Sequence, residues 1–385
     1  MDLAYSPKYE AFREEVRAFL TKYKSQAPKG LGAAGRPSPE ACSWQQLLIQ
    51  HGYAARTIPK DYGGYGAKPD ILESRIIAEE FSAARVPSAL QNQGISMLVP
   101  TLLELGTEEQ KKKWVKPTLR GEVVWCQGYS EPGSGSDLAS LQTRATVDGD
   151  DFVINGQKIW TTMAHDATHI FMLVRTDPDA PKKQQGISFV LASMDQPGVD
   201  VRTITTLAGE TEFCEVFFDN ARTPRANLVG EINKGWSMAK ALLSFERIFI
   251  GSPGLAQNAL GQLETFARGR GAFDDPVFRD RYAEVALDVE DHAALYSRFA
   301  DQLKRGETLG ADVSMLKIWV TETYQRISEL MIEVAGPDGG SIGPLQVGNM
   351  GVDVLTSFYK ARPTTIYGGS NEIQRNILSK AVLGL

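Results

Sequence analysis

HIFMLVRTD, residues 169–177, and GISFVLASM, residues 186–194, are short runs rich in β-branched, aromatic and aliphatic residues, with Asp, Pro and Gly between them. Such runs read as β-strands. EVFFDN at 215–220 reads the same way, and Phe152, Val153 and Ile154 run into Asn155-Gly156, a dipeptide expected to turn a hairpin. The chain from 123 to 229 is therefore expected to form a β unit. Outside it the spacing changes from two to three-and-a-half. Phe12, Val16, Phe19 and Leu20 fall at i, i+4, i+7 and i+8, one apolar stripe on a helix. Asp70 with Glu73, and Thr107 with Gln110, read as N-caps with a reciprocal partner three residues on, opening helices that run into Phe81 and Trp114. After Gly230 the helical spacing returns in AKALLSFERIFI (239–250), FRDRYAEVALDVEDHAALYSRFADQL (278–303) and TETYQRISELMIEV (321–334), with glycines and prolines between. Helices, then strands, then helices predict an α+β architecture: an N-terminal all-α domain over 1–122, a middle β domain over 123–229 and a C-terminal helical domain over 230–385.

A chain of 385 residues exceeds what one hydrophobic core usually serves, so more than one packed unit is expected. The net charge of -6 offers no field for phosphate backbones or anionic lipid, so neither nucleic acid nor membrane is an expected partner. No apolar run approaches a membrane-spanning length. Cys42, Cys126 and Cys214 are odd in number and far apart, with no CxxC pair; no metal is expected, and a reducing cytoplasm fits. The N-terminus carries Asp2, Glu10, Glu14 and Glu15 before any sustained apolar run, unlike a signal or transit peptide.

Three motifs fail on context. Gly339, Ser341 and Gly343 match GxSxG, but helical spacing precedes them and Pro344 follows, where an esterase elbow needs a strand and a helix. A loop is expected there. His165 and His169 are four apart, yet in MAHDATHIF they sit in a turn entering a strand, so they share no helix face as a metal pair would; a solvent-exposed turn is expected. Gly133 and Gly135 begin no GxGxxG within a βαβ unit, which disfavours a nicotinamide-dinucleotide site.

Glu246 stands out. Leu242 and Leu243 lie four and three residues before it, Phe249 and Ile250 three and four after it, so a carboxylate occupies an apolar helix stripe. Desolvation there raises its pKa and makes it a competent proton acceptor near neutrality. The alternative is an ion pair with another helix or a solvated rim, and the pattern alone does not choose. Arg247 is not the partner, since adjacent helix positions diverge.

TIPKDYGGYG (57–66), CQGYSEPGSGSDLASLQTRA (126–145), NGQKIWTT (155–162) and IYGGSNEIQRNIL (366–378), in this order across nearly the whole chain, resemble the signatures of the acyl-CoA dehydrogenase family. The resemblance implies an N-terminal helical domain, a middle β domain and a C-terminal four-helix bundle, with FAD between the last two. It implies that Gln127 to Ser136, including Gly135, form a loop over the flavin, Tyr129 and Ser130 touching it and Ser136 also facing the acyl-CoA. Trp160 and Thr162 would pack against the isoalloxazine, although Trp160 taken alone could be core. Arg270 and Phe273 match positions that reach the FAD of a neighbouring subunit, as do Glu333, Gly336, Ser370 and Glu372. Arg270 taken alone reads as a solvated helix face. Arg247 is expected on the acyl-CoA.

Two departures from the family pattern carry weight. The position directly after Tyr367, a glutamate in many members, is Gly368, so the base is expected instead from the helix, at Glu246, as in the isovaleryl- and long-chain enzymes. Gly368 keeps a backbone N–H that, with a ribityl hydroxyl of FAD, would hydrogen-bond the thioester oxygen. EVAGPDG at 333–339 replaces the glutamine and paired glycines common there. The implied reaction is FAD-dependent α,β-dehydrogenation of an acyl-CoA to a trans-2-enoyl-CoA. An electron-transfer flavoprotein is the expected acceptor, and a homotetramer or a heterotetramer with a paralogous subunit the expected assembly. The alternatives are a flavin-docking or non-catalytic subunit of a heteromeric dehydrogenase, and an oxygen-using acyl-CoA oxidase or flavin monooxygenase on the same fold.

Overall fold

The computed structural model describes residues 6–30, 35–305, 307 and 309–385, the side chains at 71, 243–249, 303 and 304 excepted. It divides into two compact units: Met1–Ile204 with Thr211–Leu242, and Thr205–Glu210 with Leu243–Leu385. The order of helices, strands and helices is as the spacing predicts.

The first unit opens with α1 (Pro7–Tyr23), α2 (Pro39–Gln50), α3 (Ile71–Ala84), α4 (Val99–Leu105) and α5 (Glu108–Leu119). The stripe on α1 buries Val16, Phe19 and Leu20, and the Phe19 ring lies 4.6 Å from Tyr53 and 5.9 Å from Trp44. Arg13 and Arg17 clamp Glu80 of α3 at 2.6 and 2.9 Å. Thr107 and Gln110 form the complete reciprocal cap on α5. Asp70 forms only half of one: it accepts from the Leu72 and Glu73 N–H groups, but the Glu73 carboxylate is taken by Arg56.

The strands are β1 (Trp125–Gly128), β2 (Arg144–Asp148), β3 (Asp151–Thr162), β4 (His169–Arg175), β5 (Ile187–Ser193), β6 (Val199–Ile204), β7 (Phe213–Pro224) and β8 (Leu228–Val229). Among the described residues they make one eight-stranded sheet in the order β6-β7-β3-β2-β4-β5-β8, with β1 parallel to β4. Phe152, Ile154, Ile170, Met172, Val190, Val216 and Phe218 fill its core together with Cys126 and Cys214.

The expected hairpin turn at Asn155-Gly156 is corrected. Asp148 pairs with Asp151, so the turn is Gly149-Asp150, and β3 runs straight through Asn155 and Gly156. Gly156, at φ +148°, instead faces a bulge in β7, which advances three residues, from Phe218 to Ala221, where β3 advances two. A Cβ there would come within 2.7 Å of the Thr143 Cα, so the glycine answers a close backbone approach rather than a reversal of the chain.

The second unit holds the end of α6 (Gly235–Ile250), then α7 (Gly254–Gly269), α8 (Pro276–Lys304), α9 (Ser314–Ala335), the ribbon β9 (Leu345–Val347) and β10 (Met350–Val352), α10 (Val354–Ala361) and α11 (Asn371–Leu378). Helix α9 is its axis, packing on α7, α8, α10 and α11. Leu263 and Phe266 of α7, Val289 of α8 and Ile327 and Met331 of α9 share one core. Gly339 lies in a 3-10 turn and Ser341 and Gly343 in the loop that follows it, so the GxSxG match is no nucleophile elbow. No described helix is long and apolar enough to cross a membrane.

Candidate active site

In the first unit the expected ring-contacting residues come together from two segments. Gln127 lies half-buried on β1, one residue before its end at Gly128, and the chain then leaves the sheet as the loop carrying Tyr129 and Ser130. Tyr129 is buried edge-on to Phe171 and Phe189, with centroids at 6.3 and 6.4 Å. Glu131 and Ser134 exchange backbone hydrogen bonds at 2.9 and 3.0 Å around Pro132-Gly133, so the loop doubles back on itself. Gly135 and Ser136 are exposed beyond that turn, and a Cβ on Gly133 or Gly135 would meet nothing within 4 Å.

The other segment is the end of β3. A second bulge falls between Lys158 and Thr161, and Trp160 sits in it at φ +59°, a conformation that a bulky non-glycine residue adopts only under constraint. The indole is 56% exposed, which corrects the core alternative; its edge meets the Phe213 ring at 6.1 Å. Thr162 follows, half-buried and paired with Phe213. The Ile159 N–H donates to the Ser130 carbonyl at 2.9 Å, which fastens this bulge to the loop.

Two groups that the sequence reading missed make the same join. Lys158 is fully buried, with Nζ 2.8 Å from Glu131 Oε1 and 3.2 Å from the Tyr129 carbonyl. Glu131, 7% exposed, also accepts from the Gln142 and Thr143 N–H groups at 2.5 and 2.9 Å. Burial pushes the lysine down to about 8, against the upward pull of Glu131. Burial also acts on Glu131, but Lys158 and the N–H donors outweigh it and the carboxyl stays below its usual range. A signal was present: period-two alternation places Lys158 on the inward face of Phe152 and Ile154, a cation where the strand points to the core.

The second unit contains two groups of expected residues, at opposite ends of α9. At the C-terminal end, Gly336 leaves the helix at φ +56°, Glu333 pairs with Arg281, and Arg270 pairs with Asp338 at 3.1 Å over the Phe266 ring. Arg270 is thus a partnered helix end and not a freely solvated face. Phe273 packs edge-on to Phe278 and Tyr282 at 5.1 and 5.0 Å. At the N-terminal end, Gly368 and Gly369 are both left-handed, at φ +65° and +78°. Gln374 Nε2 donates to the Gly368 carbonyl at 2.9 Å, and Ser370 caps α11 by accepting from the Ile373 N–H. Glu372 is exposed in the first turn of α11, its carboxyl held low by its own N–H and the Ser370 hydroxyl. Asn371 is gripped by Lys317 Nζ at 2.7 Å and reaches Glu322 at 3.1 Å. From Thr321 to Glu333 the rise of α9 is roughly 18 Å, so the two groups do not meet.

Glu246 and Arg247 lie on α6, and their side chains are outside the described residues. Of the apolar residues flanking Glu246, Leu242 is buried and Ile250 half-buried. His165 is exposed in the turn after β3, as expected, with Nδ1 3.3 Å from Cys214 Sγ. His169 differs from the expected exposed turn: it is the first residue of β4, packed between Trp114 and Trp125 at 5.0 and 5.1 Å.

The first-unit surface fits a flavin ring. It pairs an exposed flat aromatic with hydroxyl-bearing neighbours, Ser130 and Thr162, beside a loop whose glycines leave open space. That combination of apolar mass and polar edge is what a heteroaromatic tricycle requires.

Comparison with known proteins agrees over the whole chain. Residues 6–122, 126–221 and 233–383 match, in order, the N-terminal, middle and C-terminal domains of acyl-CoA dehydrogenase. The chain is 37% identical over 386 residues to acyl-CoA dehydrogenase IpdE1 of Mycobacterium tuberculosis, covering 98% of this chain and 97% of that one. Among solved structures it is similar to one described as the Tcur3481-Tcur3483 steroid ACAD, with TM-score 0.80 and 31% identity over 100% of this chain and 99% of that one. It is also similar to a chain of the ChsE4-ChsE5 complex from Mycobacterium tuberculosis, with TM-score 0.77 and 28% identity over 100% and 99%.

Proposed function

The chain belongs to the acyl-CoA dehydrogenase family of flavin-bearing oxidoreductases, and we propose that Glu246 is the base that takes the α-proton in its reaction. The substrate is an acyl-CoA thioester and the product its trans-2-enoyl-CoA. Bound as FAD, the flavin supplies the acceptor for the hydride that leaves the β-carbon. The other tasks fall to this chain. The carboxylate of Glu246 takes the α-proton as the Cα–Cβ double bond forms, a role that the apolar residues spaced around it in the sequence support, since desolvation makes a carboxylate more basic. Charge then develops on the thioester oxygen, and the Gly368 N–H donates to it.

The observation that carries the reading is Trp160: an exposed indole held at positive φ, tied through Ile159 to Ser130. A strained, solvent-facing aromatic stores a cost that a bound ring repays. Gln127, Tyr129, Ser130, Gly135, Ser136, Trp160 and Thr162 would line the flavin, with Ser136 and Arg247 on the acyl-CoA. Arg270, Phe273, Glu333, Gly336, Ser370 and Glu372 would face the FAD of a neighbouring subunit, in a homotetramer or with a paralogous chain. The division at 122/123 and 229/230, a cytoplasmic setting and an electron-transfer flavoprotein acceptor complete the reading. The helix-borne base and the steroid named for a similar structure support a bulky or branched acyl group.

Replacing Glu246 by Gln tests it. The variant should keep its yellow flavin while reduction by an acyl-CoA panel slows by about 10²- to 10⁴-fold in anaerobic stopped flow. Reduction at the unaltered rate excludes this base.

A further inference from the structure

The buried pair Lys158–Glu131 is poorly explained as a source of stability. Removing two charges from water costs several kcal/mol per ion, and apolar residues of similar volume often do as well or better. What an apolar pair lacks is direction. Lys158 points one N–H at Glu131 and another at the Tyr129 carbonyl, while Glu131 receives the Gln142 and Thr143 N–H groups. With the Ile159 to Ser130 bond, these contacts fix residues 129–131 against residues 158–160. A third charge lies close by. Arg175, 8% exposed, donates to the carbonyls of Ala139 at 2.6 Å, Lys183 at 2.5 Å and Leu141 at 3.3 Å, and it acts electrostatically on both Lys158 and Glu131. Lys158 alone pairs directly with the carboxylate, and Arg175 adds a second buried cation to its electrostatic surroundings.

We propose that Lys158 and Glu131 are positioning residues for the flavin: their ion pair sets Tyr129 and Ser130 against Trp160, and its charge balance sets how readily the ring is reduced. The inference rests on the reading that Tyr129, Ser130 and Trp160 face the ring. Low dielectric makes each buried charge felt at short range. Lys158→Met removes the cation that does most to hold Glu131 ionised and leaves it the Gln142 and Thr143 N–H donors, so at a pH high enough to keep that carboxyl ionised, where the variants are compared, negative charge is gained beneath the ring. Adding Glu131→Gln removes that charge without restoring the tie to Tyr129.

The test uses the flavin-loaded enzyme and two readouts apart from turnover: flavin affinity by recovery of flavin fluorescence on dilution, and midpoint potential by dye equilibration. K158M should bind flavin about tenfold more weakly and show a more negative potential. The double variant E131Q/K158M should regain the potential but not the affinity, with a melting temperature close to wild type. A purely structural role predicts melting temperature and affinity recovering together. Affinity within threefold of wild type in the double variant overturns the proposal, as does a K158M potential that is unmoved or more positive. If K158M does not fold, the double variant decides by its affinity alone. Trp160→Ala separates this inference from the parent reading: unchanged flavin binding in that variant sinks the parent reading, whereas loosened binding there with none in E131Q/K158M sinks this inference only.

Discussion

His169 and His292 are both withdrawn from water, and burial lowers the pKa of each below 6.5. His292 is fully buried on α8, with Nε2 3.2 Å from the Leu316 carbonyl. A depressed folded pKa means that the unfolded chain binds the proton more readily, so stability is complete above about 6.5 and declines as pH falls through it. The urea midpoint should therefore fall between pH 7 and pH 5.5, and His292→Gln, which still offers an N–H but no titration, should flatten part of that fall. An unchanged slope in the variant would assign the loss elsewhere. Some single residues were legible from sequence in this way and others were not. Glu246 shows itself as a carboxylate on an apolar stripe; Lys158 obeys the same logic on a strand. The exposure of Trp160 was hidden, because it depends on a bulge and a positive φ imposed by the pairing of β3 with β7.

Strand β3 shows why an element can mislead. Asn155-Gly156 has the composition of a two-residue hairpin turn, but turn chemistry is a local preference, and β7 offers Asn155 a partner in Asn220 and a continuous ladder on either side. What the glycine supplies is room against Thr143. Gly156→Ala should cost about 1–3 kcal/mol through strain at that backbone position, read as a lowered denaturation midpoint with the slope unchanged. A neutral result would show that the bulge relaxes freely. Helix α7 was less legible than its neighbours because three of its five buried residues are alanines, Ala256, Ala259 and Ala267, which give a weak apolar stripe. Its large anchors, Leu263 and Phe266, are only three apart.

At the scale of the chain, the succession of helical, strand-like and helical texture was readable because period is a local property. Strand order was not: β3 pairs with β7 and β5 with β8, partners brought together by folding and marked by no spacing in the sequence. The same holds for the two ends of α9, which gather residues from 270 to 338 and from 317 to 375. The three free thiols are distributed just as unequally. Cys126 and Cys214 lie inside the sheet core with their pKa values raised by burial, and Cys42 on α2 is only half-buried. Under native conditions a maleimide should modify Cys42 first, at one equivalent per chain by mass spectrometry, and take up three only after denaturation. Two early equivalents would mean that the sheet opens. Selective modification would give the molecule a single chemical handle on its helical face, where a dye or tether can be attached by the native sequence alone.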